Sequence, residues 1–282
     1  MTISIRGTVH CQLSTLLQTP KGLTFLFAAA ISAAFEKEPA MSRIAIPGTI
    51  DASPAASQPL LEAVKKQLGV VPNLFRLLGT SPVALEGYLG LSGALGKGSL
   101  DARTRQRIAI EVAERNGCDY CLSAHSYLGK NVAKLDDSEL EAARDARSSD
   151  PKAAAALRFA RAVVDTRGHV AAPALAEVRG AGWSDAQIVE IVAHVAVNVL
   201  TNYLNGVAET EVDFPLVATH AEYEGLCAVA VSMGERVPAD ATSISYHAGR
   251  TFRFSSADAK AMFDAEPAAF IGKADARWPL PA

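Results

Sequence analysis

Between Ser57 and Val207, apolar residues recur at spacings of three and four, interrupted by short runs of Gly, Pro, Asp and Ser. That period sets apolar side chains along one face of a helix with about 3.6 residues per turn. Helices are therefore expected near 58–68, 73–79, 82–96, 101–116, 118–133, 138–147, 151–167, 172–180 and 185–208. The breaks between them read GVVPN, GTSP, GKGSLD, NG, KLDDS, SSDP, RGH and GAGWSD. Several end in a side chain that can cap a helix, or in a proline suited to its first turn. Alanine-rich faces point to close helix packing, and no alternation argues for a sheet here.

After TEVDFPLV the texture changes. Residues SISYHAGRTFRFSS, Ser243 to Ser256, alternate over two short segments around HAGR, which is a hairpin signal. SADAKAMFDAEPAAFIGKA then reads as a short helix, a proline break and another short helix. The expected fold class is an all-α helical main domain, residues 41–217, with a small α+β C-terminal module, residues 218–282. A module of that size is marginal alone and is expected to pack on its neighbour. Residues 1–40 read as a separate extension. Within it, Gly22 to Phe35 form an apolar run behind Arg6 and Lys21, too short to span a bilayer and like a signal-peptide core with poor charge placement. A dispensable or disordered extension, a targeting segment and an ordered helix all stay open; Met41 would make a natural start for the globular part.

Composition narrows the function classes. The chain has 282 residues, enough to bury a core without disulfides or a metal. A net charge of −3 gives no basic field for nucleic acid or an anionic membrane, so neither partner is expected. Four cysteines, Cys11, Cys118, Cys121 and Cys227, are too few for a secreted disulfide scaffold and fit a reducing, cytoplasmic setting. There a paired CxxC is more often catalytic or metal-binding than structural.

That pair lies in NGCDYCLSAHSYLG, Asn116 to Gly129. Cys118 and Cys121 are one helical turn apart, near enough to form a disulfide with little backbone movement. His125 is four residues beyond Cys121, on the same face, where an imidazole can take the thiol proton. On one straight helix Glu111, Glu114, Cys118, Cys121 and His125 would share a stripe of about 80°. Asn116-Gly117 is instead a break signal, which would set Cys118 beside a helix N-terminus and Cys121 in its first turn, where the dipole favours a thiolate. Glu111 is preferred behind His125, because Glu114 is nearer the break and more easily solvated. Inert core cysteines are one alternative. A zinc site is another, with Cys118, Cys121 and His125 as three ligands and Cys227 or His194 as the fourth.

The stretch RQRIAIEVAERNGCDYCLSAHSYLGK resembles the signature of the alkylhydroperoxidase D-like branch of the carboxymuconolactone decarboxylase superfamily. GVVPNLFRLLGTSPVALEGYLGLSGAL and AQIVEIVAHVAVNVLTNYLNGVAETEVDFP extend the likeness over about residues 60–215. The resemblance implies an all-helical homo-oligomer, a trimer or a multiple of it, that reduces hydroperoxides. Cys121 would then attack, Cys118 would resolve the sulfenic acid as a disulfide, and His125 with a Glu would relay protons. In the best-known members the relay Glu lies about three turns before the first cysteine, where this chain has Gln106; Glu111, two turns before, matches other branches.

On the last long helix His194, Asn198, Thr201, Asn202, Asn205 and Glu209 form a polar stripe of about 100°, read as cavity lining or an interface rather than a solvated face. Residues 223–279 resemble a Tyr-His-Ser (YHS) module, through YHAGRTFRF and FDAEPAAFI. The name-giving serine is replaced by Ala248, and the second thiol of metal-associated versions is missing. The expectation is thus a thiol-dependent peroxidase that needs no cofactor and no metal. Its catalytic residues are Cys121, Cys118, His125 and Glu111, with Glu114, His194, Asn198 and Asn202 as relay or cavity residues. Its partners are a hydroperoxide and an external dithiol reductant. The alternatives are a non-catalytic metal-binding or redox-sensing protein, and a cofactor-free acid-base enzyme acting like the lactone decarboxylase.

Overall fold

The computed structural model describes residues 42–248 and 250–280. The expectations for residues 1–40, including the apolar run, Cys11 and the start at Met41, lie outside the described residues. The chain is an all-α main domain followed by a small α+β module. The main domain has nine α-helices among the described residues: α1 Gln58–Leu68, α2 Asn73–Leu78, α3 Pro82–Leu95, α4 Ala102–Arg115, α5 Asp119–Asn131, α6 Asp137–Arg144, α7 Pro151–Asp165, α8 Ala172–Gly180 and α9 Asp185–Ala208. The capping chemistry read from the sequence sets several starts. Asp101 accepts from the Thr104 amide at 3.0 Å, and Ser184 with Gln187 closes a reciprocal capping box on α9.

Helix α4 is the hub. It packs against α5, α6, α7 and α9. Six consecutive residues, Ile108 to Ala113, are buried, so neighbours surround it on every side. One of the six is Glu111, a carboxylate in the middle of an apolar core.

Helix α9 carries two opposite stripes. His194, Asn198, Thr201, Asn202 and Asn205 are all buried, whereas Val189, Val192, Leu200, Tyr203 and Val207 are exposed. The expected polar stripe thus faces inward, and an apolar one faces out. Glu209 does not continue the polar stripe: it ends the helix at φ 48° and pairs with Arg43 at 2.6 Å. By length and composition α9 could cross a membrane, but half of its apolar window is buried in the protein interior.

The module comprises a 3-10 turn, Glu222–Gly225, then α10 Ala228–Met233, β1 Asp240–His247, β2 Arg250–Phe254, α11 Ala257–Ala265 and α12 Pro267–Arg277. The strands pair antiparallel, with Ser245 opposite Phe252 and Tyr246 opposite Thr251. Phe252 and Phe254 alternate inward onto Phe263, at ring separations of 4.9 and 5.0 Å. Burying each such ring stabilises by about 1.5–3 kcal/mol, which gives the module a hydrophobic core of its own.

Main domain and module meet at the start of α5. Arg253 on β2 reaches Asp119 at 3.3 Å, with both side chains buried, and also donates to the Thr219 carbonyl at 2.9 Å. The Thr219 amide and hydroxyl donate to the same carboxylate at 2.7 and 2.8 Å. Thr251 Oγ1 lies 2.7 Å from the point a β-carbon on Gly117 would occupy. Gly117 is therefore required twice, for that approach and for its φ of 64°.

Candidate active site

The break at Asn116-Gly117 ends α4 at Arg115, and α5 starts again at Asp119. Cys118 becomes the N-cap of α5, with its sulfur accepting the Cys121 amide at 3.4 Å. Cys121 sits in the first turn, where unpaired N–H groups and the helix dipole favour a negative sulfur. Both cysteines are unbonded thiols, and both are buried.

Helix α9 supplies the other wall. Asn205 Nδ2 donates to Cys121 Sγ at 3.2 Å, and the thiol lies 3.8 Å from Thr201 Oγ1. Burial alone would raise the Cys121 pKa. The polar groups of Cys118, Asn202, Asn205 and Thr201 around the sulfur outweigh it and lower the thiol below its ordinary value. Cys118 goes the other way, pushed well up first by its hydrogen bond to Cys121 and then by burial. The two sulfurs are thus pushed in opposite directions: Cys121 is the more acidic thiol and Cys118 the one that holds its proton more tightly.

His125 differs from the expected arrangement. Its Nδ1 is 2.9 Å from Gln106 Oε1, and it makes no hydrogen bond to either sulfur. With Nδ1–H donated to the Gln106 carbonyl, Nε2 keeps its lone pair. Burial lowers His125 to about 4, which keeps the ring neutral near pH 7. Glu111 does not stand behind the imidazole. It accepts from Arg161 Nε at 2.5 Å, Arg161 Nη2 at 2.9 Å and the Ala146 amide at 2.8 Å. Burial lifts Glu111 to about 7 against the pull of Arg161. Nor is Glu114 solvated: its side chain is buried, bonded to Arg144 at 2.8 Å and to the His220 amide. The reason is geometric. Helices α4 and α5 run antiparallel about Gly117, so Gln106, eleven residues before the turn, meets His125, eight after it.

Of the remaining stripe residues, Asn202 Oδ1 accepts from Asn116 Nδ2 at 2.8 Å, which ties α9 to the break. Its Nδ2 bonds to no group among the described residues although it is buried beside the sulfur. Asn198 is turned onto the His194 carbonyl at 2.8 Å. His194 is buried, which lowers it to about 4, with Nε2 unpartnered. Tyr88 on α3 was not anticipated. Burial raises it to about 12, and the nearby Cys121 charge pushes the same way. An aromatic in a helix gives no signal of this kind in sequence. The zinc ligand set does not converge: among the described residues no three His, Cys, Asp or Glu side chains are grouped to hold a metal ion. Cys227 is buried in the separate core of the module.

Comparison with known proteins agrees with this architecture. Residues 82–165 match the model of the Carboxymuconolactone decarboxylase family. The comparison with curated proteins gave no match. Among solved structures, the fold is similar to an alkylhydroperoxidase AhpD core, a peroxidase-related protein from Ralstonia eutropha JMP134. That pair has a TM-score of 0.56 and 23% identity, covering 61% of this chain and 93% of the other. A peroxidase-related protein from Silicibacter sp. TM1040 has a TM-score of 0.55 and 21% identity, over 63% and 94% of the two chains. The debrominase Bmp8, as a variant bound to 2,3,4-tribromopyrrole, has a TM-score of 0.53 and 22% identity, over 61% and 94%.

Proposed function

From a carboxymuconolactone decarboxylase family segment carried on an alkylhydroperoxidase D-like fold, we propose that this chain is a thiol-dependent peroxidase. The observation that carries the reading is the asymmetry of the pair: Asn205 donates to Cys121 Sγ at 3.2 Å in the first turn of α5, where a negative sulfur is favoured, while Cys118 at the N-cap is pushed towards its protonated form. Attack of the Cys121 thiolate on a hydroperoxide ROOH cleaves the O–O bond, giving Cys121–SOH and RO⁻, which takes a proton from water to leave as ROH. The Cys118 thiol then condenses with the sulfenic acid, releasing water and forming the Cys118–Cys121 disulfide. An external dithiol returns the pair to the reduced state. His125, neutral and oriented by Gln106, is the proton acceptor as Cys118 is deprotonated.

This reading needs no cofactor. The acid-base alternative is disfavoured because Glu111, the carboxylate it would use, is committed to Arg161. The C-terminal module, YHS-like in sequence, acts in this account as a clamp on the start of α5 through Arg253 and Asp119. The outward apolar stripe of α9 supports self-association into a homo-oligomer. The test is peroxide consumption with a dithiol present, by wild type and by Cys121→Ser. Activity is expected only in the wild type, and equal rates would sink the reading.

A further inference from the structure

Among the described residues, two polar atoms of side chains beside the attacking sulfur have no partner. Asn202 Nδ2 is a donor and Asn205 Oδ1 an acceptor; both are buried, and neither has a hydrogen bond. Their residues are 3% exposed, so solvent does not satisfy them. An unmade hydrogen bond of this kind costs about 1–3 kcal/mol. The other half of each amide is committed: Asn202 Oδ1 to Asn116 at 2.8 Å, and Asn205 Nδ2 to Cys121 Sγ at 3.2 Å. Those bonds fix which end of each amide remains free. One turn apart on α9, both residues border Cys121, Asn205 through its bond to the sulfur and Asn202 as one of the groups that lower the thiol.

We propose that Asn202 Nδ2 and Asn205 Oδ1 form the binding subsite for the terminal O–H of a hydroperoxide. This deepens the peroxidase reading and rests on it. A terminal peroxide oxygen has one hydrogen to donate and lone pairs to accept. Donating to Asn205 Oδ1 and accepting from Asn202 Nδ2, it satisfies both orphaned atoms. The oxygen thus held is the one Cys121 attacks, and the same Asn205 side chain binds sulfur and substrate with its two ends. The leaving RO⁻ points away from the amides, and the hydroxyl hydrogen stays on the new Cys121–SOH, whose oxygen keeps both contacts. The subsite selects hydrogen peroxide and small alkyl hydroperoxides over dialkyl peroxides, which have no O–H to offer Asn205.

The test compares two reagents on the reduced full-length protein: hydrogen peroxide, and iodomethane, which alkylates a thiolate but offers no hydrogen-bonding group. For each, the limiting second-order rate with Cys121 is measured at the high-pH plateau, where differences in thiolate fraction vanish. Asn202→Leu is expected to lower the peroxide rate about tenfold or more, the loss of one hydrogen bond in the transition state, and the iodomethane rate by less than about twofold. Asn202→Ser, which keeps a donor, should recover part of the peroxide rate, and it serves alone if the leucine variant does not fold. Equal losses with both reagents would overturn the subsite, since Asn202 would then act on the sulfur alone. Unchanged rates with both would overturn it as well. If wild-type Cys121 reacts with iodomethane but not with hydrogen peroxide, the peroxidase reading fails and the subsite with it.

Discussion

Two neighbouring regions at the centre of the molecule handle polarity in opposite ways. Around Glu111 the groups are formal charges: Arg161 and Glu111, Arg144 and Glu114, in close pairs between α4, α6 and α7. Around Cys121 the groups are neutral: amides, a hydroxyl and the amide end of a helix. The paired charges neutralise one another and hold helices together. The dipoles favour negative charge on Cys121 without pairing it with a cation, so the lone pairs of the sulfur stay available for attack. A cation seated directly on Cys121 would stabilise the thiolate further but also tie up its lone pairs. The placement of Glu111 away from His125 therefore has a physical sense: the carboxylate belongs to the framework, and the thiol site is tuned by hydrogen bonds.

The sharpest way to break this contrast is to remove a framework charge. Glu111→Ala strands the Ala146 amide, removes both carboxylate oxygens that accept from Arg161 and opens a cavity in the core, and should lower stability by about 3–5 kcal/mol in denaturant unfolding. The pH at which Cys121 becomes a thiolate, read by absorbance near 240 nm, should hardly move. A large shift in that titration would put Glu111 in the thiol site after all. Arg253→Gln should cost a similar amount, about 3–5 kcal/mol, by stranding Asp119 under the module, and faster alkylation of Cys118 would show that the clamp had loosened.

A smaller effect is expected from the dipolar side. Asn205→Ala removes the donor to Cys121, so the thiolate titration should move to higher pH and peroxide consumption at neutral pH should slow roughly tenfold, with unfolding changed far less than by Glu111→Ala. Glu111 also gives stability a pH dependence, because its folded pKa of about 7 lies above the unfolded carboxylate value. A raised carboxylate favours folding most below the unfolded pKa, and the benefit is lost as pH rises through the folded value. Wild type should therefore lose stability between about pH 4.5 and 7 relative to Glu111→Gln. The same slope in both proteins would contradict the assignment. Gln106→Glu should have the mildest effect on rate, within a few-fold. It should raise the pKa of His125 from about 4, seen as a new acidic limb in the pH profile.

Much of the framework was legible in the sequence. Apolar spacing located α1 to α9 to within a few residues, and Asn116-Gly117 foretold the break that places Cys118 at a helix start. The polar stripe on α9 was visible as well, although spacing does not reveal which of its residues touches sulfur. What the sequence hid was relative placement across the break. Extending one helical wheel through Gly117 aligned Glu111 with His125, but the chain reverses there, and the true neighbour is Gln106, further back along α4 than Glu111. Asp119 and Arg253 are 134 residues apart, and no local pattern links them.

The central claim is that Cys121 is the peroxide-reactive thiolate and Cys118 its resolving partner. Its most direct test is one equivalent of hydrogen peroxide added to the reduced full-length protein, followed by mass spectrometry of the cysteine peptides. The account predicts loss of two hydrogens in a Cys118–Cys121 disulfide for wild type, and a sulfenic acid trapped on Cys121 in Cys118→Ser. Unmodified cysteines with the peroxide still present, or a sulfenic acid appearing first on Cys118, would contradict it.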